Sequence, residues 1–135
     1  MLHIAANKRR SQDDMWLEVS RQRSSIPASG HTNPDCRGHL HQYSAGSWIR
    51  QLLVLIDGCL YIYSDIEPDA PAIGVIYLHG YKAQPSSIAG RRHAWEMIPT
   101  EQSIKHFYFH AQTETEKKRW LAALEYSIDR WMRLS

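Results

Sequence analysis

The chain has 135 residues, 43% of them hydrophobic and 22% charged, which suits one packed domain with a short extension. A net charge of +2 is too small an excess to argue for a nucleic-acid partner, so any basic character that matters must be local. Two cysteines, Cys36 and Cys59, are too few for a disulfide scaffold, and no apolar run approaches the ~18 residues needed to span a bilayer. Because Lys8, Arg9 and Arg10 follow the short apolar start instead of preceding it, no secretory leader is expected. The protein reads as cytoplasmic, with a peripheral place at a membrane as the second option.

Residues 1–35 read as an N-terminal extension or linker. Ser24, Ser25, Pro27, Ser29, Gly30, Asn33 and Pro34 make its second half rich in chain breakers. Met15, Trp16 and Val19, behind Asp13 and Asp14, have the spacing of a short amphipathic helix near 13–20. The blander alternative is a leader without fixed structure.

From Cys36 the pattern turns to strands. Gly38 to Tyr43 alternates, Ser44 to Ser47 is a turn, and Trp48 to Ile56 is β-rich. Asp57-Gly58 is the strongest hairpin signal in the chain. Cys59 to Tyr63 is its return strand, with Leu60 and Ile62 on one face and Tyr61 and Tyr63 on the other. An acidic loop with prolines, Asp65 to Pro71, leads to a strand at Ile73 to Leu78. Tyr81 to Ala83 is a short strand, Arg92 to Ile98 alternates around Ala94, Trp95 and Met97, and Lys105 to Ala111 alternates around Phe107 and Phe109. Short strands at this spacing predict a small all-β sandwich or barrel.

The last element differs. Thr113 and Glu116 have capping-box spacing. Trp120, Leu121, Leu124, Ile128, Trp131 and Met132 then recur on one face of a helix. A lone amphipathic helix after an all-β run must bury that face against one end of the sheets. Trp131 is either the last staple of that helix or a contact for the segment around Trp16.

These residues, in this order, resemble the pleckstrin-homology (PH) family. Gly38-x-Leu40 is similar to its first strand, Trp48-x-x-x-x-Leu53-Val54-Leu55 to its second and Leu60-Tyr61-x-Tyr63 to its third. Phe107-x-Phe109-x-Ala111, then Thr115-Glu116 and Trp120-x-x-Ala123-Leu124, resemble its end. The resemblance covers residues 36–133. It implies a mainly β, PH-like barrel of seven antiparallel strands in two near-orthogonal sheets, capped by one C-terminal helix whose Trp120 is the structural anchor. Within the family, the segments from Val54 to Lys82 and Ile104 to Phe109 are most similar to PH domains of connector-enhancer-type scaffold proteins. A PH domain attached to a Rho-type exchange factor is the competing parent.

The resemblance also bears on ligands. Members that grip phosphoinositide headgroups carry cations at the end of the first strand and on the second. Several phosphates on one surface need several charged donors. Here those positions fall on Gln42, Ile49 and Gln51, and Arg50 points to the opposite face. The acidic third loop repels phosphate. The expectation is therefore a non-catalytic PH module of a signalling or scaffold protein, an adaptor binding a protein partner with weak or no phosphoinositide affinity. The alternative is phosphoinositide-dependent membrane targeting through an atypical basic site. Candidates for weak lipid contact are Arg37, Arg50, Lys82, Arg91 and Arg92, and candidates for protein contact are Tyr61, Tyr63 and Tyr81. For Arg91-Arg92, a solvated strand end is an equally good reading.

His39 and His41 share a strand face, and His79, His93 and His110 are further histidines, but none has metal-ligand spacing. No metal, cofactor or catalytic residue is expected. Neither a Gly-rich phosphate loop nor a Gly-x-Ser-x-Gly elbow is present, and Cys59 reads as a small buried thiol. A monomer is expected.

Overall fold

The structure, a computed structural model, describes residues 17–101 and 103–134. Seven strands follow one another: β1 (Cys36–Ser44), β2 (Ser47–Ile56), β3 (Cys59–Ser64), β4 (Gly74–Tyr77), β5 (Tyr81–Ser86), β6 (Ala94–Pro99) and β7 (Phe107–His110). Every pairing is antiparallel, and the strand order is β4-β3-β2-β1-β7-β6-β5. The sheet therefore has two halves. They are joined where β1 meets β7, through His41 opposite His110 and Gln42 opposite Phe109. Residues 17–24 form a helix, α1, and Glu114–Leu134 form α2.

Strand alternation sorts the side chains into two cores. On the inner face Cys36, Leu40, Leu53, Leu55, Leu60 and Ile62 meet Trp95, Met97 and Phe109 from the other half, and Trp120, Leu124 and Ile128 from α2. The capping residue is the expected one: the Glu116 amide donates to Thr113 Oγ1 at 3.1 Å, satisfying one of the free donors of the first turn. Asp13 to Trp16 and the Met132 side chain lie outside the described residues.

The outer face of β2 and β3 carries a second core. Val54, Ile56, Cys59, Tyr61 and Tyr63 are buried there together with Ala28. Its cover is the segment 17–35. The Ala72 amide donates to Ser24 O (2.8 Å) and the Asp35 amide to Leu55 O (2.7 Å). The Ser20 hydroxyl donates to Leu17 O, which leaves Tyr77 to donate its own proton to Ser20 Oγ at 3.0 Å. At the far end Arg23 Nη2 meets Asp57 Oδ2 at 2.8 Å.

The Asp57-Gly58 turn has positive φ at both residues, 49° and 75°, as a type I′ hairpin requires. The Trp131 ring lies across it, and a Cβ on Gly58 would stand 2.8 Å from Trp131 Cδ1. The ring thus packs the end of α2 on the β2–β3 turn, while the segment at Trp16 lies outside the described residues. Gly58→Ala combines an unfavourable φ with a clash and should lower stability by about 1–3 kcal/mol, read as a lower urea midpoint at unchanged m-value. Ala45→Gly should go the other way by a few tenths of a kcal/mol, because Ala45 sits at φ 49°.

Candidate functional site

The β1–β2 turn and the β3–β4 loop lie at the same end of the sheet. Ser44 pairs with Ser47, so the β1–β2 connection is only Ala45-Gly46, both at positive φ. Such a turn has no length to wrap a ligand. On the inner face beneath it, Gln42 stands opposite Ile49, and Leu40 opposite Gln51. Gln42 and Gln51 are buried, and Ile49 is 47% exposed. Gln51 Oε1 is buried without a hydrogen-bond partner. Asp65, Glu67 and Asp69 follow on the β3–β4 loop.

The five basic candidates for lipid contact sit in different settings. Arg37 turns into the N-terminal segment and donates to His31 O at 2.9 Å. Lys82 lines a cavity between β5 and α2, where Glu125 and Asp129 also stand. Arg92 is exposed. Arg50 and Arg91 do share a surface, on the outer side of the β1–β2 hairpin. The Arg91 guanidinium lies 5.5 Å from the centre of the Trp48 ring, and Trp48 meets His110 edge-on at 4.7 Å. His110 stacks on His41 at 4.5 Å, with the rings 4° from parallel. Burial, then the neighbouring His110, Arg50 and Arg91, hold the His41 pKa down. Burial does the same for His110, against a hydrogen bond to Ala111 O. At neutral pH the stack is thus uncharged, and the guanidiniums carry the positive charge of this surface.

Tyr61 and Tyr63 are both 0% exposed, which corrects their assignment as surfaces for an outside partner. Alternation did place them on the outer face, but that face is covered by residues 17–35. Tyr63 donates its one phenolic proton to Ile26 O at 2.7 Å. The His31 Nε2 at 2.6 Å from the same oxygen must then be the donor. The His31 ring also stacks on Tyr61 at 5.3 Å. Tyr81 is half-buried, with its ring against Phe107 and its hydroxyl donating to Lys105 O at 2.8 Å. Cys59 is a poor nucleophile, since burial pushes its thiol up to about 11, where little thiolate forms at neutral pH. Among the described residues, no three of His, Cys, Asp and Glu gather as metal ligands.

The family model of the PH domain matches residues 34–129. None of the curated proteins matches the chain. Among solved structures, the C-terminal PH domain of pleckstrin in complex with an inositol pentakisphosphate is 20% identical, with a TM-score of 0.58, covering 68% of this chain and 95% of its own. The activated truncation of Vav1 is 18% identical, with a TM-score of 0.63, over 87% of this chain and 33% of that one. The structure of human RhoA in complex with the DH/PH fragment of PDZRHOGEF gives 16% identity and a TM-score of 0.59, over 70% of this chain and 28% of that one. No helix among the described residues is long and apolar enough to cross a membrane. With seven strands closed by one helix, and a family match running through all of them, the chain belongs to the PH-domain family.

Proposed function

We propose that this chain is a non-catalytic module of a cytoplasmic signalling or scaffold protein, that it acts by holding a protein partner, and that its phosphoinositide affinity is weak or nil. The observation that carries this reading is the neutral inner face below the β1–β2 turn. Gln42, Ile49 and Gln51 occupy the inner face beneath a two-residue turn. Neutral side chains under a closed turn supply neither the charge-assisted donors nor the enclosure that a polyphosphate needs. The solved PH domain of pleckstrin holds an inositol pentakisphosphate, whereas the DH/PH fragment of PDZRHOGEF was solved with a protein, RhoA.

A second reading has one observation in its favour. Arg50 and Arg91 both approach His41 outside the β1–β2 hairpin, and each cation near an anionic bilayer contributes ~1 kcal/mol. Two such charges give loose, reversible association and no firm anchor. Co-sedimentation with vesicles containing single phosphoinositides separates the readings. The partner-binding module should stay in the supernatant, or sediment weakly and alike with every anionic lipid. Saturable binding to one phosphoinositide, abolished in Arg91→Glu/Arg92→Glu, would overturn it in favour of the atypical lipid site.

A further inference from the structure

β7 pairs with β1 only at His41 and Gln42, so the first half of β1 runs past the end of β7. The start of α2 lies against it there. The gap is a cavity of about 230 Å³ lined by Gly38, His39, His41, Arg50, Gln112, Glu116 and Arg119. It opens on the outer side of the hairpin and is separate from the inner face that carries Gln42 and Gln51.

Its lining is mostly hydrogen-bond donors, and the placement of those donors is built into the fold. Arg119 Nη1 donates to Cys36 Sγ (3.3 Å), and its guanidinium lies 5.9 Å from the centre of the Trp120 ring. It rests so close to the strand that a Cβ on Gly38 would come within 3.2 Å of Nη2. Across the cavity Arg50 and His39 already hold an anion from the chain itself. Asp65 Oδ2 accepts from Arg50 Nη1 at 3.3 Å, and its Oδ1 lies 3.1 Å from His39 Nε2. An internal carboxylate held between these two groups shows the kind of group they accept. Glu116 is the one carboxylate in the lining, so with Asp65 in place the two guanidiniums are balanced.

We infer that this cavity receives a phosphomonoester on a side chain of the protein partner, with Asp65 as the internal group it displaces. The inference rests on the partner-binding reading above and gives that partner its chemistry. A phosphate is dianionic and takes several donors at once, so it outcompetes a single carboxylate for Arg50 and gains Arg119 as well. A lipid surface suits the cavity less well. A flat bilayer approaching it also meets Asp65 beside Arg50 and Glu116 in the lining, whereas one phosphate on a peptide reaches in alone.

The test is a titration of the ¹⁵N-labelled full chain with phenyl phosphate, followed by NMR and run beside inorganic phosphate and vesicles of phosphatidylserine. Phenyl phosphate should move the amide signals of Gly38, His39, Arg50 and Gln112 together and saturably. Asp65→Asn, which removes the competitor, should tighten the binding about tenfold. Arg50→Gln should abolish it, and so should Arg119→Gln. The first is a surface substitution on β2 that keeps the test valid if the second disturbs the packing on Trp120. No saturable shift with phenyl phosphate, or no tightening in Asp65→Asn, overturns the inference. An equal response to inorganic phosphate makes it a free-ion site and also overturns the peptide form, as do shifts at these residues produced only by vesicles. Failure of this site leaves the co-sedimentation result untouched, whereas failure of the partner-binding reading appears there as saturable phosphoinositide binding.

Discussion

Trp120→Ala should remove a large share of the molecule's stability, about 3–5 kcal/mol, against the 5–15 kcal/mol typical of a whole domain. Trp120 is 0% exposed and sits in the inner core with Leu40, Trp95 and Phe109, residues drawn from both halves of the sheet. The halves share only a two-residue ladder between β1 and β7, so side-chain packing must hold them together. The indole does this from α2 and anchors the helix at the same time. Its Nε1 is buried with no hydrogen-bond partner, so the anchor works by volume and contact. Trp120→Phe should therefore cost much less than Trp120→Ala, roughly 1–2 kcal/mol, since it forfeits no hydrogen bond and leaves a smaller void. Urea denaturation followed by circular dichroism measures both. Equal losses in the two variants would mean that the indole N–H matters after all, and a loss under 1 kcal/mol in Trp120→Ala would mean that the halves are joined some other way.

The fold was legible because local signals agreed with one another. Asp57-Gly58 set a hairpin, period-two alternation set the faces, and a capped helix with a single apolar stripe needed a sheet to cover. Boundaries moved where alternation is uninformative. β5 runs to Ser86, beyond the Ala83 expected, because Gln84 and Pro85 carry no apolar signal yet still pair with Glu96 and Trp95. β1 begins at Cys36, ahead of Gly38, because its pairing with β2 continues to Leu55. The neutral inner cradle was readable from Gln42, Ile49 and Gln51. The fate of Tyr61 and Tyr63 was not. Alternation tells which face a side chain takes, and it cannot tell what covers that face. The cover comes from Ser20, Ile26, Ala28 and His31, in a stretch whose Ser, Pro and Gly content signals only a loop. Arg119 and Gln112 were missed for a related reason. Both line a cavity against β1 from more than seventy residues away in sequence, and nothing in α2 or in the turn before it marks them.

Removal of residues 1–34 should leave a protein less stable by about 2–4 kcal/mol and prone to self-association. Fully burying a large apolar side chain contributes about 1.5–3 kcal/mol, and truncation uncovers the outer face of Val54, Cys59, Tyr61 and Tyr63 as a contiguous apolar patch. Tyr63 also loses Ile26 O and His31 Nε2, its two hydrogen-bond partners. A point substitution should reach a similar limit by another route. Ala28→Asp places a carboxylate at a site 1% exposed, where an unpaired charge is costly. The segment can lift away instead of tolerating it, so the penalty is capped at the free energy of docking, and the truncated and substituted proteins should have similar urea midpoints. Acid should loosen the same contact. His31 is held below its ordinary pKa by burial, then by Arg37 and Arg23, so the unfolded or undocked chain binds the proton more readily. The stabilisation from docking is then complete above pH ~6.5, the unperturbed histidine value, and is lost as the pH falls below it. Hydrogen exchange at the Ala72 and Asp35 amides, which donate to Ser24 O and Leu55 O, reads the docking directly: the Ala72 amide should lose protection between pH 7 and 5.5 while the Trp120 core keeps its own. A truncated protein that stays monomeric with an unchanged midpoint would show that the segment merely rests on the sheet, and that Tyr61 and Tyr63 are free to meet an outside partner.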